Sequence, residues 1–390
     1  MDTLDFIMLA IIIGYAIRGF SAGFFRQAGA LCGFIIGLSL GSLLAPLTVR
    51  LASSTGGKAL ITLVTILGLV AIIGTFGEYL GNYLAGLTKK FHILVVDEVA
   101  GAILSAVAVL ITAWVLASIF ARLPFPTVTS QIQRSAILTS LDRNLPPVPS
   151  AIARIEGLVA PNGFPRVFAG IEPEAGPPVA APSDAAAAVA AAAGSSSTVK
   201  IEGAGCGGLV DGSGFIVAPG LVVTNAHVVA GIARPNVIDS AGEHAATVLV
   251  FDPNLDIAVL RTTGLAGSPL ALASTEYPRG TVGAVLGYPG GGNFDVQSAA
   301  ILYEQTAIGR NIYDRGLVKR QIYALQALVR PGNSGGPLIT PNGTVIGVVF
   351  AASVTDAHVG YALTSAEIGT DVAKASSSAG VSSGSECAAE

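Results

Sequence analysis

Three short segments carry side chains able to act together. Thr224–Val229 (TNAHVV) sets His227 just after the apolar run Leu221–Val223, and the segment 256–260 (DIAVL) puts Asp256 at the head of a run with strand character. Pro331–Pro337 (PGNSGGP) places Ser334 among Gly332, Gly335 and Gly336. Each is ordinary alone, since a lone histidine, an Asp before a strand and a Gly-rich turn are all common. In the order His, Asp, Ser they match one of the chain orders in which nucleophile triads occur. A serine hydroxyl is a weak nucleophile and needs a base within hydrogen-bond reach; an imidazole accepts and returns a proton near neutral pH. Asp256 would hold that ring in one tautomer and stabilise its charged form. Attack on a carbonyl creates an oxyanion, for which the backbone N–H groups of Gly332 and Ser334 are the candidate donors, worth about 3 kcal/mol each. Gly335 and Gly336 permit close approach, and Pro337 ends the turn.

The elements that must position these residues read as strands. From Val199 onward, short alternating or apolar runs are separated by turns: Gly214–Val217, Leu221–Thr224, Ala246–Val250, Ile257–Arg261, Val282–Leu286 and Gly343–Phe350. This texture predicts an all-β barrel or sandwich over 199–390. Gly287–Asn293 (GYPGGGN) lacks the Lys-Ser/Thr that closes a phosphate-binding loop and reads as a surface loop. Three cysteines and four histidines show no paired spacing, so neither a metal nor another cofactor is expected.

The first 122 residues differ in kind. Only 12% of the 390 residues are charged and 52% are apolar, a balance that argues against a purely soluble protein. Uncharged runs extend over 6–17, 27–49, 59–77 and 99–121, and three are long enough for a bilayer span. The first reaches across if it continues past Arg18 to Phe25, because a terminal Arg can snorkel. Four spans are expected, with three as the alternative. They leave both ends on one side, and basic Arg18, Arg26, Lys89 and Lys90 against Arg50, Lys58 and Arg122 favour both ends outside. Gly29, Gly33, Gly37 and Gly41 make one face of the second span smooth for close helix packing, within the chain or between two copies. Glu78, Asp97 and Glu98 sit at span ends as interfacial anchors. A net charge of −4 with no basic run excludes a nucleic-acid surface.

Between the two parts, 123–198 reads as a connection. Thr127–Leu141 has the pattern of an amphipathic helix ending before Pro146. Gly170–Thr198 is nearly all Ala, Pro, Gly and Ser, with too little large apolar surface to repay ordering. It reads as a flexible tether and a site of easy cleavage, self-cleavage included. Cys206 and Cys387 bracket the C-terminal part and suggest a disulfide on an extracytoplasmic side, while Cys32 lies inside the second span.

The basic turn at Thr88, Lys89 and Lys90, the short first span and the glycine-rich helices resemble the colicin V production protein family. TNAHVV, DIAVL and GNSGGP are similar to trypsin-like proteases of the Htr/Deg kind. Together the two parts resemble the membrane-anchored acid-resistance serine proteases of mycobacteria and related actinobacteria. The resemblance implies an all-α transmembrane domain over 1–122 and a trypsin-like double β-barrel over 199–390. It also implies a serine endopeptidase acting on envelope or periplasmic proteins, with its protease domain outside the membrane, in acid or envelope stress. By the same carry-over Leu328 forms the floor of the primary pocket, and Ala351, Ala352 and Ser353 form its wall and the substrate-pairing edge. His358 fits a turn better than the pocket. Asn333 stands where digestive relatives carry an Asp, so activation by a new N-terminus is not expected, and the 56 residues after Ser334 leave no room for a PDZ domain. Two other readings stay open: an inactive module that binds peptides, and a transporter-like membrane part with a regulatory protease.

Overall fold

The computed structural model describes residues 2–49, 55–88, 94–120, 126–145, 164–165, 167–180 and 184–389. It forms two compact units, Met1–Pro161 and Asn162–Glu390. The basic positions Arg50, Lys89, Lys90 and Arg122 and the expected stop at Pro146 lie outside the described residues.

The first unit is helical: α1 (Thr3–Ala22), α2 (Phe24–Thr48), α3 (Thr55–Thr88) and α4 (Leu94–Phe120). Each contains a stretch long and apolar enough to cross a membrane, and the first runs past Arg18 as expected. Phe6, Ile72 and Tyr79 point outward uncovered, as a lipid-facing surface requires. The glycine face of α2 packs on α3 of the same chain. A Cβ on Gly33 would lie 2.5 Å from the Ile73 carbonyl oxygen, and one on Gly29 2.2 Å from that of Gly77, so the backbones touch where a larger side chain would part them. The carboxylates at the span ends make specific contacts. Asp97 Oδ1 accepts the Phe24 N–H at 3.1 Å, capping α2, and Arg26 Nε donates to Glu78 at 2.8 Å, tying α2 to α3.

The expected helix Thr127–Leu141 is instead two, α5 (Pro126–Arg134) and α6 (Ala136–Asn144). The break lies at Ser135, whose hydroxyl accepts the Leu138 N–H at 3.2 Å. Buried Asp5 of α1 completes the cap by accepting the Ala136 and Ile137 N–H groups at 3.1 and 3.2 Å. An N-terminal carboxylate thus satisfies the orphan donors of a helix 130 residues away.

The second unit begins before the expected domain start. Just ahead of the stretch read as a tether, Ala169 donates to the Ile308 carbonyl at 2.8 Å, and within it Glu172 accepts the Tyr361 hydroxyl at 2.6 Å and the Val354 N–H at 3.1 Å. The alanine tract forms α7 (Asp184–Gly194), with Ala187 and Ala190 buried. Alanine has the highest helix propensity, and its small side chain lets a helix lie close to a sheet. Gly194 shows how close, since a Cβ there would sit 2.8 Å from Leu286 and Ile339 side-chain carbons.

Two sheets follow. The first contains β1 (Thr198–Gly205), β2 (Gly208–Ala218), β3 (Leu221–Thr224), β4 (Asn236–Asp239), β5 (Gly242–Ala245), β6 (Thr247–Asp252) and β7 (Ile257–Arg261), in the order β5-β4-β1-β2-β3-β7-β6. The β1–β2 hairpin turns on Cys206 and Gly207, both at positive φ, as a two-residue primed turn demands. The second contains β8 (Ala271–Leu272), β9 (Val282–Gly287), β10 (Asp295–Gly309), β11 (Val318–Gln326), β12 (Pro337–Ile339), β13 (Thr344–Ala352) and β14 (Val359–Thr364). Here β12 pairs with both β9 and β13, closing six strands into a barrel, and β8 adds in parallel to β13. Short helix α8 (Ala226–Val229) follows β3, and α9 (Ser365–Ala375), capped by Thr364, follows β14. Cys206 and Cys387 are disulfide-bonded, Cα atoms 5.6 Å apart.

Candidate active site

Strand β3 delivers His227 into α8, one turn of helix whose four residues are all buried. Its backbone N–H donates to Asp256 Oδ1 at 3.0 Å, and its Nδ1 lies 2.8 Å from Oδ2 of the same carboxylate. A carboxylate there accepts, which places the ring proton on Nδ1 and leaves the Nε2 lone pair free. Asp256 is fully buried and adopts φ +67° at the end of the turn before β7. Asn225 Nδ2 donates to its carbonyl at 2.8 Å. With Nδ1 also 3.0 Å from Oδ1, the sequence-distant His227 and Asp256 are joined by three contacts in a buried environment.

Ser334 comes from the second sheet, on the turn between β11 and β12. The turn is docked between β2 and β13: Ser213 N–H donates to the Ser334 carbonyl at 2.8 Å, and Gly335 N–H to Val349 at 2.8 Å. Gly335 is required here by space as well as by its φ of +84°, since a Cβ would fall 2.1 Å from the Ser213 carbonyl oxygen and 2.4 Å from Thr224 Oγ1. The serine turn consequently rests on the strand end that leads into His227. Among the described residues, neither the Ser334 hydroxyl nor His227 Nε2 has a hydrogen-bond partner within the protein, and neither do the backbone N–H groups of Gly332 and Ser334. Four groups able to meet a substrate thus stand unengaged.

Several supports had little voice in the sequence. Ser213, between Gly212 and Gly214, donates through Oγ to the Gly332 carbonyl at 2.7 Å and accepts the Tyr288 N–H at 2.8 Å. Burial pushes the Tyr288 phenol above its ordinary value, with the Asp239 charge adding to the shift, so it stays protonated. The GYPGGGN loop is tied to the site, because Gly290 N–H donates to the Pro331 carbonyl at 2.7 Å. Asn333 is buried, and its Oδ1 accepts the Arg330 N–H at 2.9 Å. The only advance signal for Ser213 was a small polar residue between two glycines before an apolar run. For Asn225 it was the cap position two residues before His227.

Of the pocket residues expected by resemblance, Ala351 and Ala352 pair with Tyr361 and Gly360 at the end of β13. Ser353 donates its N–H to Val359 at 2.8 Å and accepts through Oγ from the Thr355 and Asp356 N–H groups at 3.0 Å each. Leu328 is 40% exposed, between buried Ala327 and Val329. His358 is exposed in a turn, its N–H on Asp356 Oδ1 at 2.9 Å. Among the described residues, no group of three or more His, Cys, Asp or Glu could hold a metal ion.

Fold and sequence together define a trypsin-like serine protease joined to an apolar helical part. Residues 212–348 match the trypsin-like peptidase domain, and residues 4–146 match the colicin V production protein. The chain is 34% identical over 377 residues to the serine protease Rv3671c of Mycobacterium tuberculosis, covering 95% of each. The crystal structure of the active form of that protease superposes with a TM-score of 0.51 at 40% identity, over 53% of this chain and 93% of that one. Mitochondrial serine protease HTRA2 of Bos taurus is 38% identical over 144 residues, 35% of this chain and 31% of that protein. The chain belongs to the family of membrane-anchored, HtrA-like serine proteases of mycobacteria.

Proposed function

We propose that this protein is a membrane-tethered endopeptidase in which His227, Asp256 and Ser334 form the catalytic triad. The observation that carries the reading is the buried His227–Asp256 contact at 2.8 Å beside a glycine-bounded serine turn seated on the same strand end. A peptide entering the cleft would bring its carbonyl carbon to Ser334 Oγ. His227 Nε2 takes the hydroxyl proton as the bond forms and returns it to the leaving amine, while Asp256 holds the ring and balances its transient charge. The Gly332 and Ser334 N–H groups bind the oxyanion; Gly290 N–H holds the Pro331 carbonyl of the peptide that bears the Gly332 N–H, and Ser213 holds the Gly332 carbonyl that follows it. Water then repeats the sequence on the acyl-enzyme. Catalytic hydrogen bonds are often unformed before substrate binds, which accords with the unengaged Ser334 hydroxyl.

The edge at Ala351–Ser353 would pair with the substrate. The substrates are proteins of the cell envelope, met on the extracytoplasmic side, where the Cys206–Cys387 disulfide is stable; cleavage of the chain's own connecting segment and a part in acid or envelope stress belong to the same reading. The test is labelling of the full chain in nanodiscs by a fluorophosphonate. Labelling at Ser334, with casein cleavage that Ser334→Ala abolishes, is the expected result. A folded protein that is neither labelled nor active would leave a peptide-binding module in its place.

A further inference from the structure

We infer that Arg320 is a positioning residue: a buried guanidinium on the second sheet that clamps the turn carrying Asp256 on the first and sets the charge behind it. The inference rests on the triad reading. Arg320 stands on β11 with 1% exposure, among the most enclosed large side chains of the chain. Its Nε donates to the Asn254 carbonyl at 2.8 Å and its Nη2 to the Arg310 carbonyl at 2.9 Å, with the Phe350 ring 5.8 Å from Cζ. Nη1 is buried with no partner. A cation is costly to bury this way unless something depends on it.

What depends on it is two residues downstream of Asn254. In the turn 252–256, Asp252 Oδ1 accepts the Asn254 and Leu255 N–H groups at 2.8 and 2.9 Å, and Asp256 N–H donates to the Asp252 carbonyl at 2.9 Å. The chain then enters β7 through Asp256 at φ +67°, a region in which a residue with a side chain persists only when its surroundings hold it there. Arg320 grips the Asn254 carbonyl from the second sheet, and Ile312 N–H, on the loop between β10 and β11, donates to the Pro253 carbonyl at 3.0 Å. The base and acid stand on one sheet and the serine on the other, so this clamp registers the two parts of the site. The carboxylates acting on the guanidinium are Asp256 and Asp252 from the turn and Glu367 from α9, while Arg310 and Asp314 pair with each other on the loop after β10. Burial lowers the guanidinium's pKa and those three carboxylates oppose the shift, so the group stays cationic.

The experiment compares Arg320→Met and Arg320→Lys with the unmodified full chain in nanodiscs. Arg320→Met loses clamp and charge: kcat and the fluorophosphonate labelling rate fall about 100-fold, with KM within twofold. Removing a positive charge behind a carboxylate–imidazole pair favours the protonated ring, so the acid limb of the kcat/KM profile moves about 1 pH unit upward. Arg320→Lys keeps the charge but spans only one carbonyl, so kcat falls about 10-fold with the acid limb unmoved. A purely structural role would lower the urea midpoint and leave the acid limb of both folded variants unmoved, which overturns the inference. So would an identical shift in both variants, or an unchanged kcat. If Arg320→Met does not fold, the neutral but polar Arg320→Gln takes its place: reduced kcat with the acid limb moved upward supports the inference, and an unmoved limb overturns it. Labelling of the unmodified chain at Ser334 separates this outcome from failure of the triad reading, with which the inference would fall.

Discussion

Replacing Ser213 by Ala removes one oxygen and tests how the proposed oxyanion donors are held. Ser213 is fully buried, and its Oγ joins the Gly332 carbonyl at 2.7 Å to the Tyr288 N–H at 2.8 Å. The variant leaves one carbonyl and one N–H without that partner in the interior. Two net hydrogen bonds at about 1 kcal/mol each, plus the added cost of stranding their partners, place the loss of stability at about 2–4 kcal/mol. The Gly332 carbonyl is also released, which loosens the residue whose N–H, in the preceding peptide, is the proposed donor. Loss of the whole donor would cost about 3 kcal/mol of transition-state stabilisation, a factor of 10²–10³ in kcat; partial loss places the fall nearer 10–100-fold. Pulse proteolysis in urea measures the first quantity on the full chain, and the rate of fluorophosphonate labelling together with kcat measures the second. A midpoint unchanged within error and a labelling rate within twofold of the unmodified protein would refute the idea that Ser213, through the Gly332 carbonyl, steadies the neighbouring donor.

Reducing the Cys206–Cys387 bond, with a sequence separation of 181 residues, should lower the urea midpoint of the protease unit; about 5 kcal/mol is the upper figure from chain entropy, and an unmoved midpoint would show that the loop is closed by other contacts. Burial alone would raise the Asp239 carboxyl, but the Ala266 and Ala241 N–H groups and His244 outweigh it and hold the group below 3.8. A carboxylate lowered in the folded state adds stability above its unfolded value and loses it as pH falls through its folded one, so Asp239→Asn should be destabilised at pH 7, with the deficit closing in acid. Gly33→Leu, whose Cβ would lie 2.5 Å from the Ile73 carbonyl, should lower the thermal aggregation midpoint of the chain in micelles, whereas Gly14→Leu, with nothing within 4 Å, should not.

The sequence made β3 and β7 legible to the residue, because apolar runs between turn residues leave little freedom there. It showed the His, Asp and Ser segments for the same reason, as each sits in a turn beside such a run. The long β10–β11 hairpin escaped notice: its apolar pattern is broken up by Tyr303, Glu304, Gln305 and Arg320, the last of which finds its partner, Asn254, 66 residues away in the chain. Composition misled at the alanine tract, where the absence of large side chains was read as an inability to pack. Ser213 and Asp5 escaped because their role is to satisfy backbone groups of distant segments, and which backbone groups lack partners is decided only by the assembled fold.

Ala190 is wholly enclosed and Gly194 lies against Leu286 and Ile339. A polypeptide begun at Val199 would therefore carry His227, Asp256 and Ser334 and still present a wet oily stripe where α7 had been. Truncations made at that point should clump or fold poorly, and a fragment liberated by cutting upstream of Asn162 should remain dispersed.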